Sequence, residues 1–367
     1  MTTPMRHKVD AIFLWLVIVL VVAGFFLFVS ASMGLLVKGK TTLVHTLTTQ
    51  LLSIVLGFVA LIMASKIPYQ FWKKYSLYLF LGSVFLTLLV FVPGIGIEHG
   101  GAQRWLKIGS FSIQPAEFLK VGFVIYFATF LSALKNKLYS FKHGVLQILF
   151  ILSIIGLVLL KQPDTGTFVV IVLSTLVMFF TAGGKWKHFF SLVITGICGF
   201  LALIIMKPYV KERLLTFFDP TSDVLGAGWQ IKQSLIAIGS GELYGRGFGQ
   251  SIQKFTNLPE PIGDSIFAVT AEEFGFIGGI ALISFFVAIA IRGLQIAKRT
   301  PDQFGGLLVV GIVILIVGQS FLNIGAMLGV FPLTGMPLLF ISQGGSALLA
   351  TLFLVGIVLN VSKYIKV

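Results

Sequence analysis

Ten apolar runs, each close to the length that crosses a bilayer, constrain this chain more than any other feature. They fall near residues 11–33, 46–65, 75–94, 114–134, 145–160, 167–182, 189–206, 265–291, 306–326 and 341–362. A hydrocarbon core about 30 Å thick takes roughly 20 apolar residues as a helix, and in lipid only helices and closed barrels satisfy their own backbone. The runs therefore predict an all-α polytopic membrane protein with ten transmembrane helices and both termini on one side. Composition agrees: with 57% hydrophobic and 11% charged residues, the chain lacks the polar surface that would cover a water-soluble core. The first run follows Arg6 and Lys8 and exceeds a signal-peptide core, so it reads as a retained span. The runs at 145–160 and 167–182, joined through KQPDTG, are the shortest. No internal repeat is visible, which weighs against an inverted-repeat transporter.

The formal net charge of +14 does not point to nucleic acid, because the basic residues sit mostly in short loops between apolar runs, as orientation signals do. One side carries Arg6, Lys8, Lys66, Lys73, Lys74, Lys135, Lys137, Lys142, Lys185, Lys187, Arg292, Lys298, Arg299, Lys363 and Lys366. The short loops of the other carry only Lys38, Lys40, Arg104, Lys107 and Lys161. This bias predicts cytoplasmic termini and an extracytoplasmic loop at about 207–263, within one transmembrane unit spanning 1–367. Of the acidic residues, only Asp10 and Asp302 fall on the cytoplasmic side, so chemistry is expected at the outer face. Cys198 is the single cysteine and lies in an apolar run, which rules out a disulfide framework and a thiolate cluster. His7, His45, His99, His143 and His188 are scattered without metal-ligand spacing and argue against a zinc site.

Four stretches carry the candidate chemistry. Lys254 to Gly279 (KFTNLPEPIGDSIFAVTAEEFGFIGG) places Asp264 at the mouth of an apolar helix and carries Glu272 and Glu273 into it, with Glu273 expected on the opposite side from Glu272. Carboxylates at membrane depth cost roughly 2.5 to 3.5 kcal/mol unless they face a cavity or a partner. Asp264 is the most exposed of the three and the first candidate for catalysis. Upstream, Arg104 beside Trp105 suits a phosphate or sugar at the interface, or a plain anchor. Pro115 opens a helix on which Glu117 and Lys120 share a face, as a structural tie or as part of a polar cavity. In KQPDTGT, Lys161 and Asp164 read first as ordinary helix-end residues, with Asp164 as an N-cap.

In the long loop, Gly228–Ile238 is expected to form a short amphipathic helix. The glycine-dense GSGELYGRGFGQ that follows could bring backbone amides to an anion, flanked by Arg246 and Lys254, or could be a flexible surface loop. Near the C-terminus, PLTGMPLLFISQGGSALLA enters the last helix through Ser342 and Ser346, with Gln319 and Asn323 on the preceding helix extending a polar lining. One cavity, open outward and sideways to lipid, is expected.

GAQRWLKIGSFSIQPAEFLK, KQPDTGT, WQIKQSLIAIGSGELYGRGFGQSIQKFTNLPE, DSIFAVTAEEFGFIGG and PLTGMPLLFISQGGSALLA together resemble, in order, the signature segments of the SEDS family of bacterial shape, elongation, division and sporulation proteins (FtsW, RodA and SpoVE-like). The resemblance runs from about residue 95 to the C-terminus. It implies a peptidoglycan glycosyltransferase that polymerises lipid II into β-1,4 glycan strands in the bacterial cytoplasmic membrane, working with a class B penicillin-binding protein and with divisome or elongasome proteins. By the same resemblance, Asp264 matches the family's essential aspartate and is the expected general base. Arg104, Glu117, Lys120, Lys161, Asp164, Arg246, Lys254, Glu260, Ser342 and Ser346 are the expected substrate-binding residues. A divalent cation, Mg or Mn, is a candidate at the outer carboxylates including Asp264, and no organic cofactor is expected. The usual L-P-E-x-H-T-D-F reads LPEPIGDS here, so Ile262, Gly263 and Ser265 depart from the family, and Gln343 stands where tyrosine is common. A lipid II flippase, or a scaffold that only recruits a transpeptidase, is the alternative.

Overall fold

The computed structural model describes residues 8–99, 102–108, 111–134, 138, 140–219, 223 and 226–365. Arg6, His7, Lys135, Lys137 and Lys366, used above, lie outside the described residues. Among the described residues there are ten apolar helices: α1 (Ala11–Ser32), α2 (Lys40–Lys66), α3 (Tyr69–Leu88), α4 (Pro115–Leu134), α5 (Leu146–Lys161), α6 (Thr165–Thr181), α7 (Trp186–Met206), α10 (Ile266–Arg299), α11 (Gln303–Met327) and α12 (Gly345–Ser362). Eight are long and apolar enough to cross a membrane, while α5 and α6, at 16 and 17 residues, are shorter. The chain is an all-α polytopic membrane protein.

Two further helices, α8 (Pro208–Phe218) and α9 (Ala227–Ser240), lie in the long loop. The expected amphipathic helix is α9, one or two residues longer at each end. The run of α8 is too short and too charged to show as an apolar segment, and its helix opens on Pro208, whose fixed φ suits a first turn. The segment after α3 adds a small antiparallel meander, β1 (Gly96–His99), β2 (Ala102–Ile108) and β3 (Phe111–Ile113), in sequential order. No alternating pattern strong enough to predict it stands out in IGIEHGGAQRWLKIGSFSI. Along β2, Ala102, Arg104 and Leu106 share one face by the strand's period of two. Ala102 and Leu106 are buried, so Arg104 is aimed into the protein.

The centre of the bundle is α11, packed against α10, α6, α4 and α12, with α2 laid along α12 and α3 along α4. The most peripheral helix is α7, with only His188 and Leu192 buried. Asp10 caps α1 and pairs with Arg292 at 2.7 Å, and Asp302 caps α11, so both acidic residues assigned to the inner side serve as helix caps.

Helix α10 is broken at Gly275, where φ is 66° and ψ −164°. In an unbroken helix the amides of Phe276 and Ile277 would reach the carbonyls of Glu272 and Glu273. Here Phe276 N donates to Glu242 O and Ile277 N to Leu243 O, while Arg246 N donates to Glu272 O and Gly247 N to Glu273 O, at 2.8 to 3.2 Å. The glycine-dense loop thus splints the break and returns all four backbone bonds, which apolar surroundings require. A Cβ on Gly245 would lie 2.2 Å from Glu273 O, and one on Gly275 would lie 2.4 Å from Gly245 N, so both glycines are needed for the approach. The loop is therefore neither a flexible strap nor free to offer the amides of Arg246 and Gly247 to an anion.

Candidate functional site

Asp264 sits at the end of a loop whose backbone is held from three directions. Asn323 Nδ2 on α11 donates to Asp264 O (2.9 Å) and to Met336 O (2.7 Å). Ser342 Oγ donates to Gly263 O (2.7 Å), and Gln343 N donates to Ile262 O (2.8 Å). From within the loop, Gly263 N and Ser265 N both donate to Glu260 O, and Gln230 on α9 reaches Ser265 Oγ at 3.0 Å. The family departures become intelligible here. Ile262 and Gly263 anchor the loop through their carbonyls, Gln343 contributes its amide, and Ser265 is fully buried, so none of these anchors needs the side chains that were replaced.

The carboxylate itself is left free: among the described residues neither of its oxygens accepts a hydrogen bond or forms an ion pair. Burial pushes its pKa up to about 6, the Glu260 carboxylate adds to the rise, and Arg213 and Arg104 oppose it. Gly335, at φ +69°, separates the carboxylate from Arg213: a Cβ there would lie 3.6 Å from Asp264 Oδ2 and 3.8 Å from Arg213 Nη2. The missing side chain leaves a slot bordered by a carboxylate and a guanidinium.

Arg104 Nε donates to Gln162 O at 3.1 Å and its Nη2 to Pro163 O. This docks the meander on the α5–α6 turn, beside Asp164. Asp164 caps α6 by accepting from Thr167 N at 3.2 Å, as its place before the helix predicts, and also accepts from Gln114 Nε2 at 3.4 Å. Arg104, Asp164, Glu260 and Asp264 thus converge, and α8 brings in Arg213, whose Nη1 is held by Leu333 O and Thr334 O at 3.1 and 3.2 Å. Nothing in the amino-acid order singles out Arg213. A lone arginine in a loop among Lys207, Lys211 and Lys232 carries no pattern that sets it apart, and recognising α8 as a helix was the signal that could have found it.

The remaining expected residues are placed elsewhere. Lys120 pairs with Glu117 at 2.8 Å inside the bundle and donates to Gln319, whose Nε2 reaches Pro337 O at 3.1 Å. The space beside the pair is about 10 Å³, enough for roughly one water. This network ties α4 and α11 to the loop that carries Gly335. Ser346 accepts from Gln114 N at 3.3 Å and steadies the entry to α4. Lys254 and Arg246 lie at the break in α10. Lys254 Nζ pairs with Glu273 at 2.6 Å and touches Ser30 Oγ at 3.1 Å, and Arg246 Nε lies 3.5 Å from Glu272. Glu272 also accepts from Ser251 Oγ and Ile252 N. Glu272 and Glu273 do not point oppositely. Consecutive helical residues are about 100° apart, and Ser251–Lys254 wraps the helix closely enough to serve both. Lys161 is exposed, with Nζ 4.7 Å over the Phe91 ring. Among the described residues, no three His, Cys, Asp or Glu side chains gather as a metal-binding group.

Between α3, α4 and α12 lies a groove of about 350 Å³, lined by Tyr78, Leu79, Phe118, Val121 and Phe353. It is apolar and takes in none of the candidate site residues, so it is distinct from the polar cavity, open outward and sideways, that the sequence predicts.

Residues 10–367 match the model of the cell cycle protein family that groups FtsW, RodA and SpoVE. The chain is 42% identical over 315 residues to stage V sporulation protein E of Bacillus subtilis, covering 86% of each chain. It is 37% identical over 357 residues to a probable peptidoglycan glycosyltransferase FtsW of Geobacter sp. strain M18, covering 97% of each. Its fold is similar, with a TM-score of 0.80 and 26% identity over 96% of this chain and 97% of the other, to a chain from a peptidoglycan synthase complex described as coordinating polymerization and crosslinking. It is also similar to an aspartate-to-alanine variant of the rod shape determining protein RodA of Thermus thermophilus, with a TM-score of 0.71 and 26% identity over 96% and 97% of the two chains. The chain belongs to the FtsW/RodA/SpoVE family of cell cycle proteins.

Proposed function

We propose that this protein is a peptidoglycan glycosyltransferase that polymerises lipid II at the outer face of the bacterial cytoplasmic membrane, with Asp264 as general base. The observation that carries the reading is the Asp264 carboxylate: fixed through its backbone, unpaired at its oxygens, raised to about 6, and facing a guanidinium across the slot at Gly335. A base poised near neutral pH is what removal of a sugar hydroxyl proton asks for, and such a group contributes roughly 10²- to 10⁴-fold to rate. The acceptor's 4-hydroxyl attacks the anomeric carbon of the donor as its proton passes to Asp264. The bond from that carbon to the diphosphate oxygen breaks, and the prenyl diphosphate leaves with the electron pair. A single displacement inverts the anomeric centre and gives the β-1,4 link.

Ten spanning helices with cytoplasmic termini complete the reading, supported by the ten apolar helices and the basic bias of the short loops. A class B penicillin-binding protein is the proposed partner, supported by the likeness to a chain of a peptidoglycan synthase complex. The proposed place for a divalent cation is beside Asp264 and Glu260, whose mutual repulsion it would relieve, with substrate oxygens completing its shell. It would supply charge neutralisation for the diphosphate. The test is polymerisation of labelled lipid II by purified protein with its transpeptidase partner, with and without chelator. Glycan chains are expected from wild type and not from Asp264→Asn; equal turnover by the variant would refute the base assignment.

A further inference from the structure

Two side chains of α8 stand at the site without an assigned task. Tyr209 and Arg213 are four residues apart, so they lie on one face of the helix. The Tyr209 hydroxyl is buried and has no hydrogen-bond partner of normal geometry among the described residues, although Thr165 lies nearby. A buried hydroxyl left unpaired costs about 1 to 3 kcal/mol, which is unusual enough to ask what it awaits.

Its surroundings answer in part. Arg213, Arg104 and Asp164 are all within electrostatic range of Tyr209. Arg213 uses only Nη1 to hold the Leu333 and Thr334 carbonyls, and among the described residues its Nε and Nη2 donate to nothing. Arg104 likewise spends Nε and Nη2 on carbonyls and leaves Nη1 without a partner there. Burial, then the neighbouring Arg104, pulls Arg213 below its ordinary value. Two guanidiniums and an orphaned hydroxyl within electrostatic range of one another have several free donors and few acceptors. Asp164, the nearby carboxylate, is engaged as a helix cap.

We infer that Tyr209 and Arg213, with Arg104 opposite, form the cradle for the diphosphate of the lipid-linked substrate. The assignment of that diphosphate to lipid II rests on the glycosyltransferase reading. Arg213 then serves both halves of the site, holding leaving-group oxygens on one side and facing Asp264 across Gly335 on the other. The hydroxyl donates to a phosphate oxygen, and the guanidiniums, which repel each other when the cradle is empty, share the anion's charge.

The test measures binding apart from turnover. Undecaprenyl diphosphate, undecaprenyl monophosphate and inorganic pyrophosphate are titrated against purified full-length wild type, Tyr209→Phe and Arg213→Gln in nanodiscs, alongside lipid II polymerisation. Wild type is expected to prefer the prenyl diphosphate. Each variant should weaken it roughly tenfold or more, as loss of a hydrogen bond to a charged group does, and raise the KM for lipid II more than it lowers kcat. Tyr209→Phe removes an oxygen that has no hydrogen-bond partner of normal geometry among the described residues, so its melting temperature should hold, and it decides the matter if Arg213→Gln unfolds. Unchanged prenyl diphosphate affinity in Tyr209→Phe overturns the cradle, as does equal wild-type affinity for inorganic pyrophosphate, which would mark a free-anion site. Polymerisation with variant-insensitive binding would leave the glycosyltransferase standing and remove this inference. Variant-sensitive binding without polymerisation by wild type would do the reverse.

Discussion

Two acidic clusters flank the first turns of α10, and they are built on opposite principles. At the break, Glu272 and Glu273 are surrounded: Lys254, Ser30, Ser251, Arg246 and the amides of the wrapping loop account for their oxygens. At the helix mouth, the carbonyls of Ile262, Gly263 and Asp264 are tied down while, among the described residues, the Asp264 carboxylate is left unpaired. Saturated charge stabilises a shape. Unsaturated charge on a rigid frame costs stability and is available for chemistry, so the contrast separates carboxylates that hold a shape from the one proposed as the base.

Breaking each cluster should have different consequences. The largest effect belongs to Asp264→Asn: polymerisation falls by roughly 10³-fold or more while the melting temperature holds or rises, because the change removes a charge with no partner. Next comes Lys254→Met, which strands Glu273 in a site where both side chains are almost wholly buried. It should destabilise by about 3 to 5 kcal/mol in thermal or denaturant unfolding, with activity lost only in step with the fold. The double variant Lys254→Met/Glu273→Leu should recover much of that loss, whereas no second change rescues Asp264→Asn in this way.

A smaller effect sharpens the comparison through pH. As the proposed base, Asp264 would act in its carboxylate form, so activity should fall as pH drops through about 6. Glu260→Gln removes one of the two influences that raise that value, and the acid limb should move to lower pH. A limb unmoved by Glu260→Gln would separate Glu260 from the base. The smallest effect is expected of Lys161→Gln. Its ammonium lies over the Phe91 ring at the surface, and loss of such an exposed contact is worth about 0.5 to 1 kcal/mol and should leave polymerisation within roughly threefold of wild type.

The ten helices, the basic bias, the Asp164 cap, the Glu117–Lys120 pair and the prominence of Asp264 were legible in the amino-acid order, because each is local. Spanning length, loop charge, a capping side chain and an i, i+3 pair are all decided within a few residues, and membrane depth makes an isolated carboxylate conspicuous. What stayed hidden depends on segments far apart in the chain. Lys254 and Arg246 look like ligands for an anion until the loop folds onto Gly275 and gives them Glu273 and Glu272. Arg213 looks like one more basic residue until α8 carries it to the Leu333 and Thr334 carbonyls. Amino-acid order alone fixes which residues can carry charge into the membrane. Which of those charges are neutralised by a neighbour and which remain free is set by the folded arrangement, because pairing requires a partner within about 4 Å and in this fold the partners come from loops and helices distant in the chain.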